Sequence, residues 1–151
     1  MTKYEIVPAT YQHAFELSTA MREEDRSEVL SLGGMTPWEA LESSLDASVE
    51  AWAGLADGRV LCIFGVAPLS ILGNGLIPWM LSSTELPKHA RQFARVSKGV
   101  VAIWKEKYPR LENLVDARYS TAVRWLKWLG FNVHPAEAIG DTRAHRVEIG
   151  G

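Results

Sequence analysis

The dipeptide Asp57-Gly58 constrains the fold of this chain more than any other feature. It separates two runs rich in apolar residues, 49–56 and 59–67. Two such residues between strand-like runs read as a tight hairpin, because the turn needs positive φ at both central positions. A tight hairpin makes the pair antiparallel, so the sheet cannot be built from parallel strands alone.

The order of elements around the hairpin also departs from the strict strand-helix alternation of a doubly wound sheet. Tyr4-Glu5-Ile6-Val7 reads as a short strand that Pro8 ends. Thr10 can then cap a helix carrying Ala14, Leu17 and Met21 on one face. The charged run Arg22-Glu23-Glu24-Asp25-Arg26 reads as a solvated helical face or a bend. Val29, Leu30 and Leu32 are expected to return to the core before Gly33-Gly34. Thr36-Pro37-Trp38-Glu39 is the clearest helix start, with a capping hydroxyl, proline at the first helical position and glutamate three residues after the cap. Trp38, Leu41 and Leu45 form its core-facing stripe.

Beyond the hairpin, Asn74-Gly75 marks a turn into a strand over 76–81, where Pro78 points to a bulge or an edge position. A helix is expected over 88–107, with Phe93, Val96, Val100, Ile103 and Trp104 at helical spacing and Tyr108-Pro109 as its stop. A short strand over 112–117 follows. Ser120 can cap a last helix that Gly130 ends, and residues 131–134 can pair with 144–149.

A chain of 151 residues, 47% hydrophobic and 23% charged, suffices for one globular domain and one core. The formal net charge of −2 gives no reason to expect nucleic acid as the main partner. The lone cysteine, Cys62, sits in an apolar run and reads as a small buried hydrophobe rather than a nucleophile. No apolar signal core and no run of ~18 apolar residues is present, so a soluble, cytosolic protein is expected. No cluster of His, Cys and carboxylate has metal-ligand spacing, and no metal is expected.

Residues 114–131 sharpen the picture. They read Leu114-Val115-Asp116-Ala117-Arg118-Tyr119-Ser120-Thr121-Ala122-Val123-Arg124-Trp125-Leu126-Lys127-Trp128-Leu129-Gly130-Phe131. A strand followed by a helix with an Ala-aliphatic pair, an aromatic stretch and a Gly-Phe exit resembles the GNAT (N-acetyltransferase) superfamily. With Ile77-Pro78-Trp79-Met80-Leu81-Ser82-Ser83, the ending is similar to a small GNAT-like family of tailed phages, some members of which are internal virion or ejection-associated proteins. The resemblance implies a single GNAT-like domain over 1–151, α/β of the α+β kind. It would hold about seven strands in a mixed, mostly antiparallel sheet and about four helices.

It also implies a place for acetyl-CoA. In this fold the CoA pyrophosphate meets backbone amides at the start of the central helix, where glycines allow close approach. The matching stretch, 84–95, contains no glycine; the nearest is Gly99. Lys88, His89, Arg91 and Arg95 remain as point charges or as a solvated helix start, while Glu85 would oppose phosphate. If acetyl-CoA binds, backbone groups around Leu81, Ser82 and Ser83 would pair with its pantetheine amides, with Lys88 and Arg91 at the phosphates. The tyrosine that many relatives use to protonate the departing thiolate falls at Leu126, which can donate nothing. Tyr119 stands where an asparagine is common and is a weak substitute. Candidate general bases are Glu50, Glu85, Asp116 and His134, and each also reads as an ordinary surface or ion-paired residue.

Six tryptophans are many for this length. Trp38, Trp52, Trp79 and Trp104 fall where a core would absorb them. Trp125 and Trp128 lie three residues apart on the last helix, and either pack under neighbouring elements or form a docking face. Two functions follow from these residues. One is a phage structural or accessory protein with a degenerate acetyl-CoA site. It would be made in the host cytoplasm, could enter the virion, and would meet other virion or assembly proteins or copies of itself. The other is a working acetyl-CoA-dependent N-acetyltransferase.

Overall fold

The computed structural model describes residues 1–68, 75–118, 120–139 and 142–150. Along the chain the elements are β1 (Tyr4–Pro8), α1 (Tyr11–Ala20), α2 (Glu23–Gly33), α3 (Pro37–Ala47), β2 (Glu50–Ala56), β3 (Arg59–Pro68) and β4 (Gly75–Ser82). A 3-10 turn (Leu86–His89) leads to α4 (Ala90–Lys107), β5 (Arg110–Asp116), α5 (Ser120–Leu129), β6 (Asn132–Val133), β7 (Glu137–Ile139) and β8 (Thr142–Gly150). The residues group into two compact units, Met1–Ala67 with Trp79–Ala90, and Pro68–Pro78 with Arg91–Gly151. The division passes through β4.

In the first unit, Asp57 and Gly58 take φ of 49° and 80° and close the hairpin that their sequence dictates. β1, β2 and β3 form an antiparallel ladder in that order, with Val7 opposite Ala53 and Ala53 opposite Ile63. Gly65 lies where β2 comes closest. A methyl group there would meet the Glu50 carbonyl oxygen at 2.5 Å and the Trp79 indole nitrogen at 3.1 Å. Helix α1 starts at Thr10, whose hydroxyl accepts from the His13 N–H while His13 Nδ1 accepts from the Thr10 N–H. α3 starts with the same reciprocal pair in Thr36 and Glu39. Ala14 and Leu17 of α1, Met21 directly after it, and Ala40 and Leu41 of α3 bury against Ala53, Val60, Ile63 and Leu81. Each of the leucine, isoleucine, valine and methionine side chains contributes roughly 1.5–3 kcal/mol when fully removed from water.

In the second unit the order is β4, β5, β8, β6, with β7 also on β8. The β4–β5 pair is parallel, Gly75 opposite Arg110 and Leu76 opposite Leu111, and the remaining pairs of this unit are antiparallel. Ser97, Val101 and Trp104 are the buried residues of α4. Gly130 ends α5 with φ of 102°.

The expected α+β class and mixed, mostly antiparallel sheet are observed, with eight strands against about seven and five α-helices against about four. The extra strand is β7, which pairs with Thr142–Ala144 inside what read as a loop. The extra helix is α2, where a solvated helical face or a bend was expected. Glu23, Glu24 and Asp25 in its first turn favour the positive end of the helix dipole, and Gly34 closes it at φ of 64°. Leu30 and Ile103 were expected in the core but are 65% and 62% exposed. Each neighbours a residue that does face inward or nearly so, and one position along a helix turns the side chain by about 100°. Asn74 lies outside the described residues, so the turn expected at Asn74-Gly75 is not placed.

Candidate functional site

The end of β4 is the part of the first unit that the sequence marks for ligand pairing, and there the strand has no free edge. On one side the Ser83 N–H donates to the Leu61 carbonyl of β3 at 2.8 Å. On the other side the junction between α1 and α2 runs alongside. Met21 forms an antiparallel bridge with Ser83, Arg22 N–H donates to the Ser82 carbonyl at 2.8 Å, and Thr84 N–H donates to the Ala20 carbonyl at 3.0 Å. The Ser82 N–H, which the pleat turns away from that of Ser83, donates to Asp25 Oδ2 at 2.7 Å, and the Ser82 hydroxyl donates to the same oxygen at 2.9 Å.

Asp25 is 8% exposed and Ser82 is fully buried. A buried carboxylate requires compensation, and Arg22 supplies it at 3.1 Å from Oδ1, with Glu24 3.2 Å away on the same guanidinium. Sequence reasoning read Asp25 as part of a solvated run. The available signal was its spacing: Asp25 stands four residues before Val29, which packs against the core, so both share one face of α2.

The turn that follows β4 is equally self-contained. Glu85 N–H donates to the Ser83 hydroxyl at 3.1 Å, Leu86 N–H to the Ser83 carbonyl at 3.2 Å, and Lys88 N–H to the Glu85 carbonyl at 3.1 Å. Pro87 has no N–H. From Ser82 to Lys88 every backbone donor is therefore engaged within the chain. Glu85, the candidate base, pairs with Arg59 at 3.4 Å, and Lys88 is exposed. His89 Nδ1 lies 2.7 Å from the Tyr4 hydroxyl, with the two rings edge to face.

The remaining candidates fall in both units. Glu50 accepts from the Trp52 indole at 2.9 Å and lines, with Thr10, Tyr11 and Ser48, a cleft of about 250 Å³ that shares no lining residue with the end of β4. At its rim the Tyr11 hydroxyl donates to Asp46, and this bond, made on the phenol side, raises the Tyr11 pKa. Arg91 belongs to the second unit and is exposed. His134 lies 3.2 Å from Glu148, and the hydrogen bonds from His134 and then Asn132 hold the Glu148 carboxyl below its ordinary pKa. Tyr119 and the side chain of Asp116 lie outside the described residues. Cys62 is buried, and desolvation pushes its thiol up to about 12. Among the described residues no group of three His, Cys, Asp or Glu is placed to hold a metal, and no helix is long and apolar enough to cross a membrane.

The two tryptophans of α5 have different surroundings. Trp125 is half-buried. It stacks on Phe93 of α4, with centroids 5.4 Å apart, and its indole N–H donates to the Ser97 hydroxyl at 3.3 Å. Trp128 is 50% exposed, with Lys98 Nζ 4.2 Å from its ring centroid.

No family model and no curated protein matches the sequence. The fold has clear counterparts among solved structures. One is smu.2055 from Streptococcus mutans, with a TM-score of 0.72 and 11% identity over 97% of this chain and 98% of that one. Another is the spermidine N-acetyltransferase of Vibrio cholerae in complex with CoA and spermine, with a TM-score of 0.68 and 11% identity over 97% and 94%. An acetyltransferase of the GNAT family from Streptococcus pneumoniae matches with a TM-score of 0.65 and 12% identity over 97% and 98%. The chain has the GNAT fold.

Proposed function

We propose that this chain is a GNAT-fold protein that acts by binding other macromolecules, with an acetyl-CoA site that no longer offers the donors its ligand needs. The observation that supports this reading is the end of β4. Pantetheine would have to add to a strand edge at Ser82 and Ser83, where β3, the α1–α2 junction and the Asp25 carboxylate already take the hydrogen bonds. Pyrophosphate would need unpaired amides in the following turn, where the protein's own oxygens take them and Pro87 supplies none. Displacing a buried hydrogen bond without replacing it costs about 1–3 kcal/mol per group, so each contact with the ligand would come at the loss of one already made. The similarity of residues 77–83 and 114–131 to tailed-phage proteins suggests particle assembly or genome delivery as the setting. Virion or assembly proteins, or further copies of the chain, would then be partners.

The second reading is an acetyl-CoA-dependent N-acetyltransferase, favoured by the GNAT fold and by the spermidine N-acetyltransferase among its structural counterparts. In it Lys88 and Arg91 would face the phosphates as point charges. A thiol-release assay with acetyl-CoA and a panel of amines, spermidine and lysine peptides included, separates the two. The first reading expects release no faster than in buffer; turnover that scales with protein concentration would replace it with the second.

A further inference from the structure

The net charge of −2 conceals a strong segregation. The first unit carries 5 lysines and arginines against 12 aspartates and glutamates, and the second carries 11 against 6, giving formal charges of −7 and +5. Within the second unit the excess gathers on two helices. Arg91, Arg95, Lys98 and Lys105 recur on α4 at intervals of four, three and seven, which places them within an arc of about 80° on one face at ~100° per residue. That face lies away from Ser97, Val101 and Trp104, the buried residues of the helix. The same stripe contains no acidic residue. Among the described residues, none of these four cations is ion-paired, nor is Arg124 or Lys127 on α5. Solvated helical faces ordinarily mix both signs, so a run of cations without ion pairs on one helical face is uncompensated positive charge.

An aromatic surface is built into the stripe. Trp125 ties α5 to α4 from the inside, through Phe93 and Ser97, and this sets Trp128 at the rim, half exposed, beneath the Lys98 ammonium. A cationic track about 21 Å long, from Arg91 to Lys105 at ~1.5 Å per residue, with one indole face beside it, matches the two demands of a nucleic-acid strand. Phosphates require spaced cations, and an unpaired base requires a flat ring. We propose that the α4–α5 face, centred on Arg95, Lys98 and Trp128, binds single-stranded nucleic acid without sequence preference, the phosphates along α4 and a base on Trp128. This goes beyond the function proposed above and does not depend on whether acetyl-CoA binds.

The test is fluorescence anisotropy of a labelled 20-nucleotide oligothymidylate at 50 mM salt, with a blunt duplex of equal length in parallel. Saturable binding is expected, tighter for the single strand. About four neutralised phosphates give a slope near −3 for log affinity against log salt. Trp128→Ala should weaken binding about tenfold and Trp128→Phe much less. Arg95→Glu/Lys98→Glu should abolish it, whereas Lys3→Glu/Arg59→Glu, the same charge change on the first unit, should cost little. Both pairs are exposed, and circular dichroism confirms that each variant folds. No binding of the wild type, equal loss in both charge variants, or no effect of Trp128→Ala would overturn the proposal. So would a dimer, seen by sedimentation, that Trp128→Ala dissolves and the oligonucleotide does not compete. A result of no oligonucleotide binding together with micromolar acetyl-CoA binding overturns both proposals, whereas binding of both ligands overturns only the function proposed above.

Discussion

The end of β4 and the outer face of α4 and α5 solve opposite problems with similar residues. At the end of β4, charged and polar groups are buried and matched, Asp25 to Ser82 and Arg22, Ser83 to Leu61 and to the turn that follows, with only Arg22 Nε, 3.2 Å from Glu24, lacking a hydrogen bond among the described residues. On α4 and α5, Arg91, Arg95, Lys105, Arg124 and Lys127 are exposed and, among the described residues, make no ion pair, while Lys98 lies over a half-exposed indole. A group already satisfied within the chain gains little from a ligand, while an unpaired cation has everything to gain from an anion. Of the two regions, the end of β4 is thus the less receptive one.

Asp25→Ala should be the most damaging test of this contrast. It leaves the Ser82 N–H and hydroxyl, and Arg22, without their shared acceptor, and breaking a buried pair in this way costs about 3–5 kcal/mol. Urea unfolding measures it, and a loss below about 1 kcal/mol would show that the β4 end is not locked as described. Next comes the difference between two tryptophans three residues apart. Trp125→Ala removes a stack and a hydrogen bond and should cost about 2 kcal/mol, a discounted value for a half-buried ring. Trp128→Ala should cost under about 1 kcal/mol, and equal losses would blur the line between packed and presented aromatic.

A smaller effect depends on pH. The Glu148 carboxyl is held below its ordinary value of 4.5, so its contribution to stability is full above that value and is lost as pH falls through the lower, folded-state value. Glu148→Gln should therefore be less stable than wild type at pH 7, with the gap narrowing as pH falls below 4.5. A gap of unchanged size at pH 3 would remove the charge from the explanation. Smallest of all should be Arg95→Glu/Lys98→Glu. With no internal partner to lose beyond the Lys98–Trp128 contact, the pair should stay within about 0.5 kcal/mol of wild type in urea. A larger loss would mean that the stripe is structural.

Local signals led to much of the fold. Asp57-Gly58, Thr36-Pro37-Trp38-Glu39 and Gly130 act over a few residues, and each forms the turn or cap that its chemistry requires. The α2 helix was harder to read, because its acidic first turn reads equally well as a bend until Gly34 is seen to close it. Asp25 was missed for a deeper reason. Its partner lies 57 residues away on β4, and nothing near either residue announces that a carboxylate will leave water to meet it. The absence of glycine in 84–95 was visible and pointed toward the same conclusion, but the commitment of the individual amides came only from the structure. Net charge averages over an internal difference, since −7 and +5 sum to a number that describes neither unit.

The most direct test of the account is a calorimetric titration of the wild-type protein with acetyl-CoA. If the β4 edge and the turn after it are satisfied within the chain, no saturable heat will appear up to millimolar ligand. A one-site isotherm with a Kd in the micromolar range would contradict the account and return the chain to the acetyltransferases whose fold it shares.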